Sequence, residues 1–132
     1  MQYVSLGRKE VKKGKRGEKA FAEHLEQVFQ YEDVDVWNNP LNFEGVDIVV
    51  RDRNGKPIRV FEVTNYAKRN WMSKTRAKRY IDSLNFWKTQ NPDIYRALVV
   101  SYPQTVDKIK GVRQMFIDEE IEVWACMHLH ET

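Results

Sequence analysis

The chain of 132 residues is 42% hydrophobic and 12% aromatic. It is therefore long and apolar enough for one domain with a buried core, over residues 1–132, and too apolar for a disordered segment. No apolar run reaches the roughly 18 residues of a membrane-spanning helix, and the polar, lysine-rich start does not resemble a signal peptide. The single cysteine, Cys126, excludes an internal disulfide framework and a cysteine-cluster metal site. We expect an intracellular, cytoplasmic protein.

The net charge of +3 is modest, but the basic residues are concentrated in two clusters. One cluster occupies the N-terminal segment, residues 1–15, which we expect to be flexible, and the start of the first predicted helix. The other cluster follows the predicted hairpin. These clusters suggest a polyanionic partner, most simply nucleic acid, and the alternative is an ordinary solvated surface. The candidate nucleic-acid contacts are Lys12, Lys13, Lys15, Arg16, Lys68 and Arg69.

The apolar periodicity predicts elements in the order α-β-β-β-α-β-α-β. A helix from about Arg16 to Tyr31 and a short strand from Val34 to Trp37 come first. Two runs rich in β-branched residues then flank Asn54-Gly55 and predict a hairpin. The remaining elements are a helix from about Trp71 to Lys88, a strand from Tyr95 to Tyr102, a helix from Pro103 to about Glu119 and a strand from Ile121 to Met127. Because an antiparallel meander is followed by helical crossovers, this order predicts an α/β fold with a mixed sheet and helices on both faces.

The hairpin predicts a pair of opposed carboxylates. If Asn54-Gly55 is a two-residue turn, Asp47 lies directly opposite Glu62, on the same sheet face as Val49 and Val60. Opposed residues have Cβ atoms about 4.5–5.5 Å apart. Two unit charges at that spacing repel by roughly 3 kcal/mol at an effective dielectric of about 20. Folding alone does not explain such a pair, whereas a divalent cation held by hard oxygen ligands does.

Three alternatives remain open for this pair. The turn can be of another type, so that the register slips and one carboxylate points elsewhere. The two carboxylates can instead share a proton, or a neighbouring Arg or Lys can neutralise them. The alternation of the strands favours the register of the two-residue turn, because Val46, Ile48 and Val50 would then face one way with Phe61 and Val63.

Glu18 is the third candidate acidic residue. It precedes Ala22, Leu25 and Phe29 at offsets of four, seven and eleven, so it lies on the helix stripe that faces the sheet. A carboxylate there is unfavourable unless something compensates it. Glu18 would therefore converge on Asp47 and Glu62, and the alternative is that it stabilises the helix N-terminus through the macrodipole.

Three short motifs resemble the PD-(D/E)XK nuclease superfamily, and they look most like archaeal Holliday-junction resolvases. They are Lys13-Gly14-Lys15-Arg16-Gly17-Glu18, Gly45-Val46-Asp47-Ile48 and Val60-Phe61-Glu62-Val63, and the resemblance covers roughly residues 13 to 102. It implies a restriction-endonuclease-like fold, a homodimer, since junction resolvases cut two symmetric strands, and a Mg²⁺ site in which Mn²⁺ would substitute. The implied metal ligands are Asp47, Glu62, the backbone carbonyl of Val63 and, directly or through water, Glu18.

The chain departs from that superfamily at one position. The superfamily usually has Lys two residues after the motif Glu, and here that residue is Thr64. A lysine beside the attacking water positions and deprotonates it and stabilises charge on the phosphorus centre. Lys74 is the substitute that helical periodicity favours, and Lys68 is nearer in sequence; the alternative for both is phosphate contact or solvation.

We therefore expect a magnesium-dependent endonuclease that hydrolyses DNA, acting on branched DNA by the resemblance, with Glu18, Asp47, Glu62, Thr64 and Lys74 at its active site. One alternative is a nucleic-acid-binding module of the same fold that is weakened or inactive in cleavage because of Thr64. The other is a protein-interaction domain whose charge clusters are only surface.

Overall fold

The structure is a computed structural model that describes residues 1–5, 16–38, 46–64 and 70–127. None of the helices in these ranges is long and apolar enough to cross a membrane. The strands are β1 (Gln2–Ser5), β2 (Val34–Asn38), β3 (Ile48–Asp52), β4 (Pro57–Thr64), β5 (Tyr95–Val100) and β6 (Glu122–Met127). The helices are α1 (Arg16–Val28), α2 (Lys74–Phe86), α3 (Gln104–Asp107) and α4 (Val112–Asp118), with a 3₁₀ turn at Trp87–Thr89.

The strands form one six-stranded mixed sheet in the order β1-β6-β5-β4-β3-β2. Strands β2, β3 and β4 pair antiparallel, and β4, β5, β6 and β1 pair parallel. The expected α/β class with a mixed sheet is confirmed. The sequence did not predict β1, which pairs with β6 from Gln2 opposite Trp124 to Ser5 opposite Met127 and forms one edge of the sheet. A strand of four residues is too short to show a periodicity.

Helices cover both faces of the sheet. Phe21 and Leu25 of α1 pack against Phe61 and neighbouring residues on one face. Helices α2, α3 and α4 cover the other face, where Leu84 and Phe116 pack with the alternate strand residues. Apolar side chains on both sides explain why β3, β4 and β5 are nearly continuous apolar runs.

All three predicted helices have different bounds, and α1 ends at Val28 rather than Tyr31. Helix α2 begins at Lys74 rather than Trp71 because Ser73 is its N-cap, with a side chain that accepts a hydrogen bond from the Arg76 N–H at 3.1 Å. The single helix predicted from Pro103 is divided into α3 and α4. The break lies at Gly111, which adopts the left-handed conformation at a φ of 90°.

The hairpin between β3 and β4 closes by a different turn from the predicted one. Asp52 and Lys56 are joined by a backbone hydrogen bond of 2.9 Å, so the loop has three residues, Arg53 to Gly55. The Asp52 carboxylate accepts hydrogen bonds from the backbone N–H groups of Asn54 and Lys56, at 2.9 and 3.0 Å, which stabilises this longer loop. The register then shifts by one residue between Val50 and Arg51. This shift offsets the extra loop residue and restores the expected pairing, with Ile48 opposite Phe61.

Candidate active site

Asp47 lies at a bend immediately before β3, not within the strand as expected. Its backbone N–H donates to the Phe61 carbonyl at 3.2 Å, and its Oδ2 accepts a hydrogen bond from the Val63 N–H at 2.7 Å. Val46, expected to face the same way as Ile48, packs instead in the cluster that contains Val49, because strand alternation stops at the bend. The Asp47 side chain is thus buried and fixed to the backbone of β4.

Glu62 lies in β4, where successive side chains point to opposite faces of the sheet, and it is 5% exposed. Its side chain is hydrogen-bonded to Asp47. Desolvation by burial, then the hydrogen bond and charge of Asp47, and then the charge of Glu18 raise the pKa of Glu62 well above its ordinary value. Glu62 therefore keeps its proton to a higher pH than an exposed glutamate does, which is compatible with a proton shared with Asp47, one of the alternatives left open by the sequence.

One atom of Glu62 is not satisfied in this way. Its Oε2 is buried and has no hydrogen-bond partner among the described residues. A buried acceptor without a partner is unfavourable by about 1–3 kcal/mol, and such atoms are uncommon in native proteins. A cation bound at the Glu62 Oε2, next to the Asp47 carboxylate, would give this oxygen a partner and would also reduce the repulsion between the two carboxylates.

Glu18 lies in the first turn of α1 and is half-buried. Its charge contributes to raising the pKa of Glu62, although α1 packs on the sheet face of Phe61 and Val63, opposite to the face toward which Glu62 points. No three His, Cys, Asp or Glu side chains within the described ranges are close enough to form a three-ligand metal group. The site is thus a close pair with a third carboxylate nearby. Glu18 is also an acidic residue at a helix N-terminus, so its alternative role remains open.

Thr64 and Val63 contribute to the site in ways that the sequence does not reveal. The Thr64 side chain is buried, and its hydroxyl donates to the Val99 carbonyl of β5 at 3.2 Å. Val63 contacts Asp47 through its backbone N–H, while its side chain packs on the α1 face. Its carbonyl as a metal ligand stays a prediction. Backbone donors carry no sequence signal, because every residue except proline has one.

Lys74 lies in the first turn of α2, on the same helical stripe as the buried residues Ala77 and Ile81. It is exposed, and the buried residues of this helix begin at Ala77. The Lys74 Cε and Nζ atoms lie 3.7 and 3.8 Å from the position that a Cβ on Gly111 would take. The Lys74 side chain thus extends beside Gly111 and does not pack on the sheet, and its catalytic role stays a prediction.

The predicted nucleic-acid contacts cannot be placed relative to these carboxylates. Lys12, Lys13, Lys15, Lys68 and Arg69 lie outside the described residues, and Arg16 begins α1 but its side chain is not described. Sequence reasoning missed other basic residues, Lys108 and Lys110, which lie in the turn between α3 and α4. Their separation from Lys74 along the chain gives no signal of proximity.

Two buried, hydrogen-bonded carboxylates with an unpartnered oxygen can hold a divalent cation or a proton. No protein-family model matches the chain, and neither a curated protein nor a solved structure does. The carboxylates of Asp47, Glu62 and Glu18 are therefore the features of the molecule that indicate a function.

Proposed function

We propose that the protein is a metal-dependent endonuclease that hydrolyses DNA phosphodiester bonds. The observation that carries the proposal is the buried Asp47–Glu62 pair, in which the Glu62 Oε2 has no partner among the described residues. A proton accounts for the hydrogen bond within the pair, but it leaves that oxygen unsatisfied. The negative charge of Glu18 nearby makes the place still more favourable for a cation.

The residues present fit Mg²⁺, with Mn²⁺ as a substitute, because carboxylate and carbonyl oxygens are hard ligands. Asp47 and Glu62 would hold the ion, the Val63 carbonyl would be a further ligand, and Glu18 would complete the set directly or through water. When bound, such an ion polarises a phosphoryl oxygen and lowers the pKa of its water. The chain itself positions these ligands, since the Val63 N–H holds Asp47 by a hydrogen bond of 2.7 Å.

The arrangement of elements supports a restriction-endonuclease-like fold. The run α1-β2-β3-β4-α2-β5 has the α-β-β-β-α-β order of the nuclease core that the motifs resemble. Asp47 lies immediately before β3 and Glu62 lies in β4. The additional β1 and β6 extend the sheet beyond β5 without covering the antiparallel meander.

DNA cleavage in the presence of Mg²⁺, Mn²⁺ or EDTA tests this proposal. Labelled linear, nicked and four-way DNA should be cut by the unmodified protein with either metal ion and not with EDTA. Asp47→Asn and Glu62→Gln should abolish cutting, whereas Glu23→Gln, the same change at an exposed position of α1, should not. Cleavage that persists in Asp47→Asn would overturn the assignment of the site.

A binding-only module of the same fold is the second candidate, and Thr64 favours it. The Thr64 hydroxyl already donates to the Val99 carbonyl and carries no charge, so it does not replace a motif lysine. The charged groups that act on Glu62 are Asp47 and Glu18, both carboxylates. DNA binding by a protein that cuts no DNA form with either metal ion would support this candidate over the nuclease.

A further inference from the structure

Residues from two distant parts of the chain meet at the start of α2. The Met72 N–H donates to the Thr105 carbonyl at 2.8 Å, which ties the segment before α2 to α3. The Lys108 Nζ lies over the Trp71 ring, 5.2 Å from its centroid. Lys74 lies against Gly111, the residue after Lys110. We call the exposed residues of this region the α2 basic surface, and they are Trp71, Lys74, Arg76, Lys108 and Lys110.

The charges of the α2 basic surface are not explained by the fold. Lys74 and Arg76 lie in the first turn of α2, where no acidic residue is present. The N-terminus of a helix is its positive end, so cations there are electrostatically unfavourable and an anion is favoured. The nearest acidic residue in sequence to Lys108, Asp107, is already paired with Arg113 through two hydrogen bonds. Within the described ranges, no carboxylate forms a salt bridge with Lys74, Lys108 or Lys110.

The α2 basic surface lies on the same side of the molecule as the carboxylate pair. Helices α2, α3 and α4 cover the face to which Val60 belongs, and Glu62, two residues later, points to that face too. Thr64 and Val100 end the parallel strands β4 and β5 side by side, and the chain continues from Val100 toward α3. Ligands of such sheets are found at the carboxyl ends of parallel strands.

We infer that the α2 basic surface binds the sugar–phosphate backbone of a DNA strand beside the carboxylate pair. Lys74, Arg76, Lys108 and Lys110 supply the positive charge that a polyphosphate neutralises. Trp71, an aromatic side chain that is 44% exposed, holds Lys108 in place through the cation–π contact. The purpose of this surface rests on the proposed nuclease function, but its binding of DNA does not require cleavage.

The salt dependence of DNA binding tests this surface against a matched control. Lys108→Ala/Lys110→Ala removes two positive charges from it. Lys56→Ala/Lys88→Ala removes two exposed charges from the other end of the molecule, at the hairpin loop and after α2. Affinity for a labelled duplex is measured by fluorescence anisotropy in EDTA over a range of NaCl concentrations. Each lost contact with a duplex phosphate lowers the slope of log affinity against log salt by about 0.9.

The first double variant should lose about 1.8 from that slope, as expected for two phosphate contacts, and the control should keep the slope of the unmodified protein. Trp71→Ala should lower the slope by about 0.9, since Lys108 is released, and Trp71→Phe should restore it. Equal slopes for the two double variants would overturn the inference. So would a slope in Trp71→Ala equal to that of the unmodified protein.

A cleavage assay with Mg²⁺ separates this inference from the proposed function. If the unmodified protein cuts DNA and the two double variants bind alike, the surface is wrong and the nuclease proposal stands. If the unmodified protein cuts nothing but Lys108→Ala/Lys110→Ala lowers the slope, the surface is supported and the nuclease proposal fails. In either case the thermal midpoint of each variant is compared with that of the unmodified protein, so that a change in the salt slope is not attributed to an unfolded variant.

Discussion

The two ends of the parallel strands differ in how their charges are arranged. At the amino end, Arg59 pairs with Glu32 at 3.1 Å and lies 4.2 Å from the Phe29 ring centroid. Arg96, which is buried, donates to the Asn85 side chain and to the Glu119 carbonyl. Burial lowers the pKa of Arg96, while the charges of Glu119 and Glu120 raise it. Each of these two arginines therefore has at least one oxygen partner, although the Arg59 Nη1 and Arg96 Nε atoms are buried without a hydrogen-bond partner among the described residues.

At the carboxyl end, charges of the same sign are neighbours. Asp47 and Glu62 form the buried pair with Glu18 nearby, and the α2 basic surface brings cations together at the positive end of a helix. Both arrangements are unfavourable in the protein alone. The carboxylates are complementary to a cation, and the α2 basic surface is complementary to a polyanion. The contrast teaches that the amino end serves stability and that the carboxyl end is where a ligand is expected.

The largest expected effect breaks the site and leaves the rest of the molecule intact. Asp47→Asn should lower metal-dependent DNA cleavage by about 10³-fold or more, since losing several kcal/mol of charge stabilisation has that consequence. The rate is measured under single-turnover conditions with Mg²⁺. Glu23→Gln serves as the matched control on the exposed side of α1.

The next effect is on the amino end and concerns stability. Arg96→Ala should lower the free energy of unfolding by about 2–4 kcal/mol, because the Glu119 carbonyl and the Asn85 side chain lose a buried donor. Arg53→Ala, which removes an exposed ion pair with Asp33, should change it by less than about 1 kcal/mol. Urea unfolding measures both variants. Equal losses in the two would contradict the role given to Arg96.

A smaller effect has the opposite sign, because Glu62 opposes stability at neutral pH in the metal-free protein. Its folded pKa is raised from an unperturbed 4.5, so the folded state keeps a proton that the unfolded chain releases. The contribution of Glu62 to stability is therefore greatest below about pH 4.5 and falls as the pH rises, by up to about 1.4 kcal/mol per pH unit. Glu62→Gln removes this dependence and should be more stable than the parent at pH 6, by about 1–2 kcal/mol, and nearly equal to it at pH 4.5.

Urea unfolding in EDTA at the two pH values measures that difference. A difference between Glu62→Gln and the parent that stays constant with pH would show that Glu62 does not carry the proton. Asp93→Asn, a change at an exposed carboxylate beyond α2, should leave the pH dependence unaltered.

The smallest expected effect is on chemistry at Lys74. Because this lysine is exposed and lies against Gly111, Lys74→Ala should lower the cleavage rate by less than about tenfold, below the range of about 10²–10⁴ for a positioned acid–base group. Its salt slope for duplex binding should fall by about 0.9, as for one phosphate contact. A cleavage rate reduced by about 10³-fold with an unchanged salt slope would restore Lys74 as a catalytic residue.

Local pattern was enough to predict much of this molecule. The β-branched runs around Asn54-Gly55 predicted a hairpin, and the helical stripes of α1 and α2 predicted which residues face the sheet, from Ala22 and Leu25 to Ala77 and Leu84. The predicted register also put Asp47 next to Glu62, although Asp47 lies at a bend before β3 and not within the strand. Burial of one apolar set requires the register that buries it, which is why this information is present in the sequence.

Only the tertiary structure decided the remaining features. The loop of the hairpin and the shift beyond Val50 compensate each other, so the correct pairing followed from an incorrect turn. The pairing of β1 with β6, the Val63 N–H that holds Asp47, and the meeting of Lys74 with the turn before α4 are contacts between residues far apart in the chain. A sequence pattern specifies which face of an element is buried, but not which backbone donor or side chain lies across from it, since those distances depend on how the elements pack together.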